Sequence, residues 1–306
     1  MTAQLTIDTG LATTLSRPRL SPRLRQAPRL RQAARVGALL SLLHRVAPRS
    51  ASDLVEKLFF SPRRLALPIR YEHLLDEADS YTQLQHGAHT IPVYSWGQGP
   101  VVLMVHGWSG GGIQFGAYVA PLVAAGYRVV VFDAPAHGRA QGSRTHLYEM
   151  AEVVTKVAAS VGVIDTIIAH SIGSLASARA VADGVDARQL VMLAPPKDLA
   201  SVVAGVGAAL GVPAAMIEEH RRRMEARFGD QVWQRFSFDH LAPVLSQKGL
   251  VVVDLDDQSI PASQSDQVHL RWPHSEKLQT SGLGHYRLLW HPQVVQPVIR
   301  RIVAGA

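Results

Sequence analysis

A strand, an abrupt turn and a helix are predicted around the pentapeptide Ala169-His170-Ser171-Ile172-Gly173. The apolar run 161–168 precedes it, and the small residues 174–178 follow it. Small neighbours are needed at such a turn because the strand and helix backbones nearly touch. In this context the pattern G-x-S-x-G exposes the serine hydroxyl at the carboxyl edge of a sheet, and here Ala replaces the first Gly. The sequence therefore predicts an exposed Ser171 hydroxyl at a sheet edge.

Three further segments place polar loops directly after predicted strands. They are 101–105 followed by His106-Gly107-Trp108, 129–132 followed by Asp133-Ala134-Pro135-Ala136-His137-Gly138, and 250–253 followed by the Asp-rich loop 254–261. A Gly-Leu-Gly-His turn, 282–285, comes later in the chain. The chain thus presents a serine first, an acid second and a histidine third, an order that characterises one family of α/β proteins.

These motifs resemble those of α/β-hydrolase-fold serine hydrolases, and of bacterial α/β hydrolases that share HGW, FDAPxHG, AHSxG, DxDDxxxP and GLGH. The resemblance extends from about Val93 to the C-terminus. It implies an α/β-hydrolase fold: a mostly parallel, doubly wound sheet with a small helical cap, inserted at about 197–249. Alternating strands and helices independently favour such a sheet. We expect a basic N-terminal extension over 1–78, partly disordered and then helical, and a hydrolase domain over 79–306.

Three residues are the candidates for a catalytic triad. Ser171 is the expected nucleophile, and it needs an imidazole to accept its proton. His285, in the Gly-Leu-Gly-His turn, is the expected base. The resemblance implies Asp257 as the acid, because family members place it four residues before a proline. The sequence leaves other acids open: Asp254, Asp256 and, less favoured, Asp198.

Backbone N–H groups of Trp108 and Ile172 are expected to form the oxyanion hole, since one follows His-Gly and the other follows the nucleophile. The glycines at 110–112 lack the Lys-Ser/Thr of a phosphate-binding loop, so no nucleotide or other cofactor is predicted. No convincing set of metal ligands is present either. The resemblance implies structural roles for four polar residues of the sheet-edge loops, namely His106, Asp133, His137 and His170.

The positive charge of the chain is concentrated at its start. Residues 1–70 carry thirteen Lys and Arg against three acids, a net charge of +10, whereas the remainder carries eighteen against twenty-one. The basic residues lack interleaved aromatic side chains, so nucleic-acid binding is not expected. Helices predicted over 30–46 and 52–60, after an arm expected to be disordered to about residue 28, are expected to pack on the hydrolase body. A basic amphipathic anchor on an anionic membrane is the alternative.

No cysteine is present, and the longest apolar stretch of this region, 36–43, is too short to cross a bilayer. We therefore expect a cytoplasmic protein, with peripheral contact to the inner membrane face as the alternative. The expected function is hydrolysis of small carboxylic esters with an apolar acyl group. A lysophospholipase or lipase acting at membranes and a non-catalytic binding protein are the alternatives. The oligomeric state is left open.

Overall fold

The computed structural model of the chain describes residues 22–66 and 68–305, with side chains described from residue 34 on. Eight strands lie in one sheet. They are β1 (Ser80–His86), β2 (His89–Trp96), β3 (Val101–Val105), β4 (Arg128–Phe132), β5 (Ile164–His170), β6 (Ala187–Leu193), β7 (Lys248–Asp254) and β8 (Ser275–Thr280). Their spatial order is β1-β2-β4-β3-β5-β6-β7-β8. The β1–β2 and β2–β4 pairs are antiparallel and the other pairs are parallel.

Helices connect the parallel strands and cover the sheet. They are α1 (Pro22–Val46), α2 (Pro48–Phe60), α3 (Ile69–Glu72), α4 (Gly116–Ala124), α5 (Leu147–Val161), α6 (Ile172–Ala182), α7 (Leu199–Leu210), α8 (Ala214–Phe228), α9 (Val232–Arg235), α10 (Phe238–Leu241), α11 (Ala262–Arg271), α12 (Gly284–Arg287) and α13 (Pro292–Ala304). Short 3₁₀ turns span His73–Leu75, Gly112–Phe115 and Ala242–Val244. The predicted mostly parallel α/β-hydrolase sheet is confirmed. The helix α11 was not predicted.

Each central strand is buried on both faces because its side chains alternate between two cores. In β3, Leu103 and Val105 pack with α5 and α6, whereas Val102 and Met104 pack with α4 and α13. All five residues of this strand are buried, so the sequence reads as a continuous apolar run rather than an alternating one. The two faces together form the core that holds the carboxyl ends of the strands at one edge.

The cap comprises α7 to α10 between β6 and β7, close to the predicted span of 197–249. The N-terminal helices α1 and α2 pack on this cap. Their shared apolar cluster contains Leu40, Ala51, Val55, Val212 and Met216. From the sequence we expect these helices to pack on the hydrolase body. They do pack on it, and their contacts are mainly with the cap rather than with the central sheet. The boundary near residue 78 stays a prediction.

The first helix begins at Pro22, whereas the sequence pattern suggested a start near Leu30. Proline is tolerated at the first position of a helix because the N–H that it lacks would have no intrahelical partner there. The predicted disordered arm extends to about residue 28, and its residues 1–21 lie outside the described part of the chain.

A pair of glycine substitutions tests how α1 is held against the cap. A Cβ at Gly37 would lie 2.3 Å from the backbone oxygen of Gly211, whereas a Cβ at Gly205 would meet no atom within 4 Å. We expect Gly37→Ala to displace α1 and to speed amide hydrogen exchange in residues 34–46. Gly205→Ala, the matched control in α7, should instead stabilise the protein by up to about 1 kcal/mol, because alanine favours a helix. Equal exchange of α1 in both variants would contradict this packing.

Candidate active site

Ser171 lies at the junction of β5 and α6 in a strained backbone conformation. Its φ is 54° and its ψ is −130°, values that L-residues rarely adopt. Its N–H donates to the carbonyl of Leu193 in the neighbouring strand β6, at 2.9 Å. The chain therefore reverses sharply at this serine, as the sequence motif predicts for a nucleophile elbow.

Two glycines make room for this turn. A Cβ at Gly173 would lie 2.5 Å from the carbonyl oxygen of His106, and a Cβ at Gly107 would lie 3.0 Å from the Cβ of Ser171. Ala169, which replaces the usual first glycine, is buried within β5 and packs in the core. The relaxed motif is accommodated because the methyl group at position 169 faces apolar side chains.

His285 and Asp257 form a buried pair at the same edge of the sheet. The distance between His285 Nδ1 and Asp257 Oδ2 is 2.7 Å, and the two side chains are 8% and 1% exposed. The other carboxylate oxygen of Asp257 accepts from the backbone N–H groups of Ser259 and Ile260, at 2.8 and 2.9 Å. Asp257 is therefore held in one orientation, with Oδ2 directed to the imidazole.

The competing acids have other partners. Asp254 accepts hydrogen bonds from the N–H groups of Leu283 and Gly284 and from the Thr280 hydroxyl. Burial raises the pKa of Asp254, but these bonds outweigh burial and lower the pKa below its ordinary value. The two carboxylates that remain are bound to backbone N–H groups, Asp256 to Gly282 and Asp198 to Ser201 at the start of α7. Of the four acids, only Asp257 contacts His285.

Ser171 and His285 line the same cavity, together with Trp108 and Ile172. The Ser171 hydroxyl and the His285 ring are not hydrogen-bonded to each other in this structure, and such catalytic bonds often shorten only when substrate binds. Within the described part of the chain, the backbone N–H groups of Trp108 and Ile172 have no acceptor. Two N–H donors are therefore available beside the serine.

Two polar side chains of the sheet-edge loops, Asp133 and His106, accept hydrogen bonds from backbone N–H groups. Asp133 accepts from the N–H groups of Gly112 and Arg139, each at 2.7 Å. His106 accepts from the N–H of Ala134 through Nε2, and its burial lowers its pKa. These bonds shape the loops after β3 and β4, in agreement with the structural roles expected for His106 and Asp133.

Two more buried histidines flank the site. Burial, aided by the charge of His285, lowers the pKa of His170 well below its ordinary value. Its Nε2 donates to the His285 carbonyl oxygen at 3.1 Å, so it positions the backbone of that residue. Burial also lowers the pKa of His137 to about 3, and the His137 ring meets that of Trp108 edge-on. Both rings are therefore neutral near pH 7.

The cavity has a volume of about 320 Å³ and mostly apolar walls. Its walls combine three parts of the chain, which are the sheet edge, the cap and the N-terminal helix α2. The apolar lining residues include Leu58, Phe59, Phe60, Leu147, Leu199, Val202, Val203, Val206, Met224, Phe228 and Ile260. Trp108, expected from the sequence to contribute to the oxyanion hole, also lines the cavity.

Sequence reasoning missed the contribution of α2 and of the segment that follows it. Arg63 and Leu65 line the cavity, and the N–H of Arg63 donates to Ser109 Oγ at 3.0 Å. The guanidinium of Arg64 donates to the carbonyl oxygens of Gly138, Ala140 and Gly142, which fastens this segment to the loop after β4. No motif signals this role, because it depends on residues about 75 positions apart.

Among residues 22–66 and 68–305, no group of three or more His, Asp or Glu side chains is arranged to hold a metal ion. No helix in that part of the chain is both long and apolar enough to cross a bilayer.

A model of the alpha/beta hydrolase family matches residues 102–299. The chain belongs to this family. The elbow at Ser171 and the His285–Asp257 pair both lie within the matched region. Family membership supports a hydrolase activity. No curated protein matches the chain.

Solved structures with the same fold carry diverse activities. The chain is similar to an esterase from Pyrococcus furiosus, with 16% identity, a TM-score of 0.58, and coverage of 80% of this chain and 97% of that one. It is similar to an esterase from Thermogutta terrifontis, with 19% identity, a TM-score of 0.55, and coverage of 74% of this chain and 98% of that one. It is also similar to a bromoperoxidase from Bacillus anthracis, with 16% identity and a TM-score of 0.58. That match covers 74% of this chain and 100% of the other. At these identities the likeness shows the fold alone.

The low pKa of Asp254 predicts an acid-sensitive site. Because the folded state lowers this pKa, the ionised carboxylate stabilises the fold above the ordinary value of 3.8, and this stability is lost as the pH falls through the folded-state pKa. Asp254→Asn should lower the free energy of unfolding at pH 7 and flatten its dependence on pH below about 4. Urea denaturation at a series of pH values measures both. Asp256→Asn, whose exposed carboxylate has fewer backbone bonds, is the control, and an unchanged pH slope in Asp254→Asn would contradict the assignment.

Proposed function

We propose that the protein hydrolyses carboxylic esters through a triad of Ser171, His285 and Asp257 and an acyl-enzyme intermediate. The observation that carries the proposal is the 2.7 Å contact between His285 Nδ1 and the buried Asp257, with His285 lining the same cavity as Ser171. A carboxylate at Nδ1 leaves Nε2 of the neutral imidazole as the proton acceptor. The strained backbone at Ser171 supports its role as nucleophile.

In the proposed reaction, Nε2 of His285 takes the proton of the Ser171 hydroxyl as Oγ bonds to the ester carbonyl carbon. The carbonyl oxygen becomes an oxyanion, and the N–H groups of Trp108 and Ile172 stabilise it. Each such donor lowers the barrier by about 3 kcal/mol. The imidazolium then protonates the leaving alcohol as the C–O bond breaks, and water releases the acid from the acyl-enzyme by the same steps in turn.

Two features favour the imidazolium form of His285 during the reaction. Asp257 places its carboxylate against Nδ1, and the backbone N–H groups of Ser259 and Ile260 hold that carboxylate in place by donating to its other oxygen. The His170 ring, 4.5 Å from the His285 ring, is neutral because it is buried, so no second positive charge stands beside the imidazolium. The surroundings of His285 can therefore stabilise the single positive charge that its imidazolium carries during the reaction.

The apolar walls of the cavity support an ester with an apolar acyl group as the substrate. Ester chemistry is favoured because the leaving alcohol needs only the proton that His285 already carries.

Replacing the nucleophile tests the proposal. We expect Ser171→Ala to abolish labelling by a fluorophosphonate probe and to lower kcat for p-nitrophenyl esters by ~10⁴-fold or more. Asp257→Asn should lower kcat by about 10⁴-fold, because the amide favours the wrong imidazole tautomer. Ser177→Ala is the matched control, since Ser177 is buried in α6 and its hydroxyl has no hydrogen-bond partner among the described residues. Labelling that persists in Ser171→Ala would overturn Ser171 as the nucleophile. A wild-type protein that is folded but neither labelled nor active would overturn the proposal and favour a binding role.

A second candidate function places this activity at a membrane surface. Leu39, Leu42 and Val46 are 68%, 60% and 78% exposed along one side of α1. Arg35 and Arg45 are exposed on the same helix, so the apolar side chains are flanked by positive charge. We infer that this side of α1 docks on an anionic bilayer, with the leucines in the interface and the arginines at lipid phosphates. The enzyme would then act as a peripheral lipase or lysophospholipase.

Vesicle sedimentation of the full chain tests the membrane proposal. Wild-type protein should sediment with phosphatidylglycerol vesicles, less so at high salt, and not with phosphatidylcholine vesicles. Replacement of Leu39 and Leu42 together by Gln should abolish sedimentation. Replacement of Leu255 and Leu270 by Gln is the control, because both are exposed leucines of the hydrolase body. Equal sedimentation of the two double variants would refute docking through α1.

A further inference from the structure

One end of the cavity is built from aromatic rings that enclose polar atoms. The Phe60 ring lies 5.6 Å from that of His220, 6.3 Å from that of His146 and 6.3 Å from that of Phe228. Tyr148 stacks on Phe228 with ring centroids 5.2 Å apart. All five side chains line the cavity. We refer to these five residues as the aromatic end of the cavity.

Buried polar atoms at the aromatic end have no hydrogen-bond partner within the described chain. They are both ring nitrogens of His220 and the hydroxyl of Tyr148. His220 is 2% exposed. A buried donor without an acceptor is costly, so such groups are rare in native proteins, and each calls for an explanation such as a bound water, ion or ligand. These three atoms, on two side chains of one cavity wall, therefore point to a ligand.

The protonation states of the histidines define what that ligand must offer. Burial lowers the pKa of His220 to about 4, with the charge of Arg223 acting in the same direction, so the ring is neutral near pH 7 and carries one N–H. His146 accepts from the N–H of Glu149 through Nδ1, which places the proton of the neutral ring on Nε2. With the Tyr148 hydroxyl, the aromatic end offers three donors and no formal charge.

The positive charges near this end are either exposed to solvent or paired. Arg235, whose guanidinium lies 5.9 Å from the Tyr148 ring centroid, is exposed. The guanidinium of Arg227 lies 5.3 Å from the Phe60 ring centroid and 5.1 Å from that of Phe228, and it pairs with Glu56 at 3.7 Å. An anionic group would therefore lose its hydration at the aromatic end without gaining an ion pair. An uncharged oxygen acceptor, by contrast, can receive hydrogen bonds from the available donors.

We propose that the aromatic end is a specificity subsite for an uncharged oxygen, a hydroxyl or keto group, on an otherwise apolar chain of the substrate and remote from its scissile ester bond. The inference rests on the proposed function in that the ligand is an ester whose carbonyl carbon lies at Ser171. His220 and Tyr148 recognise the oxygen, and the neighbouring phenylalanines enclose the chain. The preferred substrates are therefore esters of oxygenated rather than plain fatty acids.

Binding to Ser171→Ala tests the subsite without requiring hydrolysis. The probes are methyl decanoate and its monohydroxy and monoketo derivatives, with the oxygen moved along the chain, and quenching of tryptophan fluorescence or calorimetry gives Kd. We expect at least one oxygenated ester to bind about 3- to 10-fold more tightly than methyl decanoate for each hydrogen bond gained. Adding His220→Phe, which retains an aromatic ring against Phe59, or Tyr148→Phe should bring the ratio of the affinities for the oxygenated and the plain ester close to one.

His44→Phe in the same background is the matched control. His44 also has a buried nitrogen without a partner in the described part of the chain, but it does not line the cavity. The preference should survive in this variant. Equal affinity for every probe, or an equal loss of affinity for plain and oxygenated esters in His220→Phe and Tyr148→Phe, would overturn the subsite.

Hydrolysis of the same esters by protein with Ser171 intact separates the two proposals. If Ser171→Ala shows the binding preference but the intact protein hydrolyses none of the esters, the proposed function fails and the subsite stands. If the intact protein hydrolyses plain and oxygenated esters with equal kcat/KM and Ser171→Ala shows no preference, the proposed function stands and the subsite fails.

Discussion

The close crossing of β5 and α6 at Ser171 is the constraint on which the site depends. The left-handed backbone of this serine is tolerated only because the neighbouring chain offers no Cβ at Gly107 and Gly173. A hydrogen bond from the Ser171 N–H to Leu193 fixes the turn to the next strand of the sheet. The rigid core below therefore stabilises a conformation that a free peptide would avoid, and it holds Ser171 at the wall of the cavity.

A second layer of polar contacts orients the loops around this turn. Asp133 and Asp254 are buried carboxylates whose partners are mainly backbone N–H groups, and they shape the loops after β4 and before α12. His170 performs the same task for the backbone of His285. Removing one of these groups would leave several buried donors unpaired, which explains why residues that look catalytic in the sequence are used to hold the loops.

The cavity is shared between the hydrolase body and the helices that precede it. The helix α2 and the segment after it contribute Phe59, Phe60 and Leu65 to the walls, while Arg64 fastens that segment to the loop after β4. The helix α2 and the segment after it are thus part of the cavity wall. The basic, partly apolar α1 lies on the outside of the cap, where a membrane surface can reach it.

Local sequence determined the sheet, the elbow and the candidates for the reacting groups. Buried strands read as apolar runs, and the turn at Ser171 needs small residues at fixed positions, so both leave a signal over a few consecutive residues. Only the tertiary structure decided which acid of the Asp254–Asp257 loop contacts His285, because neighbouring carboxylates in one loop differ in direction and not in chemistry. It also brought α2, His146 and His220 to one cavity, since contacts between distant segments follow from how helices pack and have no period that a sequence could display.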